Sequence, residues 1–142
     1  MAPDQKKEEF EEYAHEKGVN AIFTGRLDYT DMCAFLSFVD VVVNPICKKS
    51  AASIINKHAD YASCGKPVIN TQDSVEYRQL VDSFKMGINC RPGDIGDVCK
   101  AIDLFFFNKT LTAEYGVNSR KCAEELFDRQ KTYKTILDLI LE

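Results

Sequence analysis

The sequence predicts an α/β fold built on a doubly wound parallel sheet with helices on both faces. Three observations lead there. Short apolar runs (Ala21-Ile22-Phe23, Val41-Val42-Val43, Val68-Ile69 and Gly87-Ile88-Asn89-Cys90) alternate with stretches of helical character. The runs are continuous rather than alternating, as in strands covered on both faces. Each run closes on turn residues: Thr24-Gly25, Asn44-Pro45, Asn70-Thr71 and Arg91-Pro92-Gly93. This counts to about four strands or more.

In chain order, Gln5 to Lys17 reads as an exposed helix, with Phe10, Tyr13 and Ala14 at helical spacing and Gly18 as its stop. After the run at 21–23, Asp28 or Thr30 can cap a helix through Met32, Phe35 and Leu36. Asp40 then leads into the run 41–43, which Asn44-Pro45 ends. Ser50 or Ser53 is the expected cap of a helix carrying Asn56, Lys57 and Asp60, which Gly65 stops. Lys66-Pro67 opens the strand at 68–69. Ser74 to Ser83 is the next helix, followed by the strand at 87–90. Asp94 can cap a helix from Ile95 to about Phe106. Helical stretches at 111–115, 119–127 and 132–141 complete the chain, which reads as one domain over 1–142 with carboxy-terminal helices over 119–142. The last carries an apolar stripe of Tyr133, Ile136, Leu137 and Ile140 that suits docking on another surface.

Composition sets outer bounds. The chain has 142 residues, 45% apolar and 28% charged, with a net charge of -4, enough to bury one sizeable core. An acidic chain with a pI near 5.2 lacks the clustered Lys and Arg of a nucleic-acid footprint. No apolar run approaches a membrane span of about 18 residues, and no signal peptide is visible. A cytoplasmic location is expected. Six cysteines form no CxxC and no cluster with His, so they read as reduced core thiols rather than zinc ligands or disulfides.

In open α/β sheets the ligand lies beyond the carboxyl ends of the strands. That rule selects 24–27, the loop from Asn44 to Ser53, 70–73 and 91–93. Free N–H groups around Ser53, Ile54 and Ile55 would present partial positive charge to a phosphate, and Lys57 adds a full charge. Asp60, in the second turn of that helix, could accept hydrogen bonds from two ribose hydroxyls. An anion grip followed by such a carboxylate suits a phosphorylated sugar. Arg26 could lean over a base or a phosphate. His58 precedes Asp60 by two and points to a different helix face, which argues against a His–Asp catalytic pair. Each of these also has a plainer reading: solvated lysines, a dipole-matched acid and a surface arginine.

From Asn20 onward the chain resembles the carboxy-terminal, donor-binding half of a GT-B-fold, family 4-like glycosyltransferase. The match runs through Ile22-Phe23-Thr24-Gly25-Arg26-Leu27 and Asp40-Val41-Val42-Val43-Asn44-Pro45 to its most specific part, Asn56-Lys57-His58-Ala59-Asp60-Tyr61-Ala62-Ser63-Cys64-Gly65-Lys66-Pro67-Val68-Ile69. Gly87-Ile88-Asn89-Cys90, Gly93-Asp94 and Gly116-Val117-Asn118-Ser119-Arg120 follow in order. The resemblance implies a Rossmann-like sheet and a retaining enzyme that uses a nucleotide-sugar donor without a bound metal. It assigns the ribose hydroxyls to Asp60, the diphosphate to Ser53, Ile54 and Lys57, and the base side to Gly25, Arg26 and Leu27. It further implies synthesis of a bacterial surface polysaccharide or glycoconjugate, at the inner face of the membrane in the intact enzyme.

The sequence also departs from the family. Asp60 stands where Glu is usual, and Ala52 where the family often has a second Glu near the transferred sugar. The strand whose following loop carries the family's pyrophosphate-neutralising Arg and Lys is not in this sequence, nor is the acceptor-binding amino-terminal half. The expectation is therefore a truncated donor domain, inactive alone, with an exposed sheet edge open to dimerisation. The alternative is a non-catalytic α/β module that binds a protein partner. A receiver-like signalling domain is disfavoured, because Asp40 precedes its strand instead of following it.

Overall fold

The computed structural model describes residues 3–47 and 54–141. The chain divides into two compact units, Met1–Met32 and Cys33–Glu142.

In the first unit, helix α1 (Pro3–Glu16) ends where Gly18 turns left-handed at φ +64, and the Val19 N–H reaches back to the Ala14 carbonyl at 2.9 Å. That pairing closes the helix as a glycine stop should. The Phe10 and Phe23 rings stack at 6.3 Å. The run 21–23 is not a strand, contrary to the expectation from sequence. Its unit holds no strand to pair with among the described residues, and Ile22 is 82% exposed. An apolar triplet without a hydrogen-bonding neighbour has no reason to extend. Asp28, not Thr30, caps helix α2 (Tyr29–Phe38), its Oδ1 accepting from the Asp31 N–H at 2.8 Å.

The second unit is the α/β body. Strands β1 (Val42–Asn44), β2 (Val68–Asn70) and β3 (Gly87–Asn89) pair in parallel, in the order β1-β2-β3. The sheet thus has three strands among the described residues, the expected one at 21–23 not joining it. All of β2 is buried, so both of its faces are covered. On one face Ile69 packs with Cys90 and with Ala101 and Phe105 of α5 (Ile95–Phe107). On the other, α3 (Asn56–Ser63) and α4 (Val75–Phe84) meet where the His58 and Tyr77 rings stack at 3.4 Å.

Local signals set most of these boundaries. Ser74 caps α4 and Asp94 caps α5 through their side chains. Gly65, at φ +63, stops α3. Two stretches read as separate helices form one, α6 (Lys109–Cys122), which runs on into a π turn at Ala123–Phe127. Gly116 inside α6 is not a break. A Cβ there would stand 2.7 Å from the Gly65 carbonyl oxygen, so the glycine permits close helix contact. Asp128 caps the last helix, α7 (Arg129–Leu141), three residues earlier than expected. Its Tyr133, Ile136, Leu137 and Ile140 are all at least half exposed. Of the six cysteines only Cys90 and Cys122 are buried, and Cys47 and Cys99 are exposed, so most are not core thiols.

Candidate functional site

The strand ends converge as the fold rule requires. Pro45 and Ile46 after β1, Thr71 after β2, and Pro92 and Gly93 after β3 line a hollow of about 390 Å³, closed on one side by Val98 of α5. Thr71 knits two of these loops, its hydroxyl donating to the carbonyls of Asn44 and Ile46 at 3.1 and 2.9 Å. A second hollow of about 520 Å³ lies at the opposite, amino ends of the strands, beside Asp40 and Lys66. Its cations are engaged: Lys66 donates to the Ser37 carbonyl, Arg120 to Glu124 and to the Ser63 carbonyl, and Lys109 approaches Asp40.

Each strand ends in asparagine, and the register aligns Asn44, Asn70 and Asn89 side by side. Their amides form a ladder across the sheet. Asn44 Nδ2 donates to Asn70 Oδ1 at 3.0 Å, and Asn70 Nδ2 to Asn89 Oδ1 at 2.9 Å. Asn89 Nδ2 donates in turn to the Arg78 carbonyl and to Asp82 Oδ1. Arg78 reaches back over the strand ends, donating to the carbonyls of Gln72 and Cys90 at 3.2 and 3.0 Å. Asn44 and Asn70 are completely buried. Buried amides are tolerated only when paired, and one acceptor here, Asn44 Oδ1, has no protein partner.

His58 joins this ladder to α3. Its Nδ1 accepts from the Ile55 N–H at 3.2 Å, and its Nε2 lies 3.2 Å from Asn44 Nδ2. Ile55 is the N-cap of α3. The expected caps Ser50 and Ser53 lie outside the described residues, and α3 begins after them because His58, at its third position, supplies the acceptor. The first turn of α3 is thereby pinned against the ends of β1 and β2. Burial, helped by neighbouring Lys57, lowers the His58 pKa to about 4.

The sequence-predicted residues fall in three places. Ile54, Lys57 and Asp60 lie on or just before the first turns of α3. Ile54 and Lys57 are exposed and Asp60 is half-buried. None of them lines the hollow by α5. Burial, helped by Asp60, pushes the neighbouring Tyr61 phenol above its usual range. Ser53 and Ala52 lie outside the described residues. Gly25, Arg26 and Leu27 belong to the first unit, where Gly25 takes φ +69, Arg26 is exposed and Leu27 half-buried. Arg91, in the loop after β3, is committed to acids: it grips Asp97 through two bonds at 2.7 and 3.0 Å and meets Asp94 at 2.8 Å. That pairing draws the Asp97 pKa down to about 2. The described residues hold no cluster of three or more His, Cys, Asp or Glu that could bind a metal. No described helix is long and apolar enough to cross a membrane.

Sequence reasoning missed the asparagine ladder, His58 and Arg78. The available signal was the repeat of Asn at the end of each apolar run, at 44, 70 and 89.

No curated protein sequence matches the chain. Among solved structures, the Anabaena protein HepE, crystallised in complex with UDP, superposes with a TM-score of 0.79 at 18% identity, over 96% of this chain. The chain spans 37% of the length of that protein. The likeness confirms the Rossmann-like fold. A family model described as glycosyl transferases group 1 matches residues 2–106, and with that match over most of its length the chain belongs to the glycosyl transferases group 1 family.

Proposed function

We propose that the chain is the donor-binding part of a retaining glycosyltransferase and holds a nucleoside diphosphate sugar at the amino end of α3. The observation that carries this reading is the docking of that helix start at the carboxyl ends of β1 and β2, where His58 accepts the Ile55 N–H and its ring lies against Asn44. The start of α3 at Ile54, with Lys57, then suits a diphosphate, and Ser53 belongs to the same grip. Asp60, one turn further, suits the two ribose hydroxyls. We assign the base to Gly25, Arg26 and Leu27. Family membership supports sugar transfer, and the UDP bound to HepE makes UDP the first nucleotide to try.

In this reading transfer requires an acceptor-binding half that closes the cleft and excludes water, and the 142-residue chain alone is inactive. Cationic groups rather than a metal stabilise the departing diphosphate. The product belongs to surface polysaccharide or glycoconjugate synthesis, on the cytoplasmic side of the membrane. Strand β1 lies at the sheet edge with Val43 exposed, and self-association is assigned to that edge.

The test is a titration of the full chain with UDP, followed by ligand-observed NMR. Asp60→Ala is expected to weaken binding by about tenfold or more while leaving the thermal midpoint unchanged, since charge-assisted hydrogen bonds contribute about 1.5–3 kcal/mol. Equal affinity of the two proteins would remove Asp60 from the site.

A further inference from the structure

His58 has no role in the reading above beyond its place in the packing, yet its hydrogen bonds define its chemical state. Asn70 is oriented by the backbone: its Oδ1 accepts from the Gln72 N–H at 3.1 Å and its Nδ2 donates to the Gln72 carbonyl at 3.2 Å. Asn70 Oδ1 is therefore an acceptor, and Asn44 must turn its NH₂ toward it. On the other side of the ring, Nδ1 faces the Ile55 N–H, which can only donate. Nδ1 is thus bare, and the neutral ring carries its proton on Nε2. The 3.2 Å approach of Asn44 Nδ2 to Nε2 is then a side-by-side contact rather than a bond.

The position matters as much as the tautomer. With Ile55 as N-cap, His58 is the third helical residue. In a capping box that position holds Glu or Gln, whose side chain takes the N-cap backbone N–H. We propose that His58 is a positioning residue that substitutes for this carboxylate or amide: as a neutral Nε2–H imidazole it holds the Ile55 N–H and sets the amino end of α3, and on protonation at Nδ1 it releases it. A ring charged at Nδ1 presents N–H to N–H, so the cap cannot survive. The inference deepens the donor-site reading and rests on it for its functional consequence, the loss of the phosphate grip in acid.

Burial is the main effect favouring the neutral form, and a hydrogen bond with Gln72 works against it. Lys57 on the same helix opposes a second positive charge. From α4, Tyr77 stacks on the ring, its phenol held well above the usual range by burial. Cys122 at the end of α6 lies beyond Tyr77 with its thiol pushed up to about 11. From β1 and the turn after β2 come only the amides of Asn44 and Gln72. No carboxylate is among the groups acting on the ring.

The experiment uses the full chain, labelled with 15N. Ring 15N–1H correlation at pH 7 is expected to show the Nε2–H tautomer; an Nδ1–H ring overturns the proposal. Amide protection at Ile55 is then followed from pH 7 to pH 4. With a ring pKa of about 4 in place and 6.5 when released, opening should rise about a hundredfold between pH 7 and pH 4. His58→Gln keeps the acceptor but cannot titrate, so its protection should stay flat, while His58→Leu should lose protection at every pH. The same rise in His58→Gln as in the natural chain overturns the proposal. If the Gln variant does not fold, the ring signature and the slope in the natural chain still decide. UDP affinity is measured alongside. Affinity that falls with the opening supports the positioning role, and affinity independent of pH while the helix start opens overturns it. No UDP binding at pH 7 defeats the donor reading alone and leaves the ring and exchange results to judge the cap.

Discussion

Two buried layers of the second unit are equally hidden from water and chemically opposite. Beneath β2, Ile69, Cys90, Ala101 and Phe105 form an apolar layer against α5. At the strand ends, Asn44, Asn70, Gln72 and His58 are buried to the same degree and are all polar. The apolar layer stabilises in proportion to area and tolerates approximate fit. The polar layer gives little net free energy, and loses a good deal if any one partner goes missing. Its return is geometric: it fixes strand register and the start of α3, the two things that place the candidate site.

The largest expected effect lies in the apolar layer. Phe105 is 1% exposed and meets Tyr115 edge-on at 5.6 Å. Phe105→Ala should destabilise the fold by about 4 kcal/mol in urea unfolding, while Phe107→Ala, at a site 80% exposed, should change little. Equal losses would mean that α5 is packed the other way round. The next effect is set by pH. Because the unfolded chain binds a proton at His58 that the folded chain refuses, stability is full above pH 6.5 and falls by about 3 kcal/mol as the pH drops to 4. The His58→Gln variant should lack that component of the slope. Smaller again is Asn70→Ala, which strands donors and acceptors on Asn44, Gln72 and Asn89. A cost of about 2 kcal/mol is expected, accompanied by loss of amide protection at Ile55, a signature that Phe105→Ala should not share below its unfolding transition. Smallest is Arg91→Ala. Its ion pairs with Asp94 and Asp97 lie at the surface, and surface pairs contribute little. No resolvable shift of the unfolding midpoint is expected, and a clear one would show that the loop after β3 shares in the polar layer.

The two layers also differ in how far the sequence reveals them. The apolar layer was legible in outline, since continuous runs at 41–43, 68–69 and 87–90 mark strands buried on both faces. Caps at Asp28 and Asp94 and the stop at Gly65 were legible too, because each is settled by groups within a few residues. Two local signals misled. Ala21-Ile22-Phe23 has the composition of a strand but no neighbour to pair with. The gap read between the helical stretches at 111–115 and 119–127 is continuous helix, with Gly116 a contact point for Gly65. The site was legible as a region, through Lys57 and Asp60 on α3, but not as a mechanism of placement. His58 was set aside because Asp60 lies on another face of the helix. Its bonded partner, the Ile55 N–H, and its neighbour Asn44 come together only when α3 docks at the strand ends.

What the sequence determined by itself follows from interactions between near neighbours: helix starts and stops, the apolar strands, and the family motif around Asp60 to Ile69. What tertiary structure alone decided is which buried polar atoms meet. His58 and Asn70 lie 14 and 26 residues from Asn44 along the chain, and their meeting depends on strand register and on the depth at which α3 docks. A hydrogen bond is satisfied or broken within a few tenths of an ångström, so its partners are known only when the fold has brought them together.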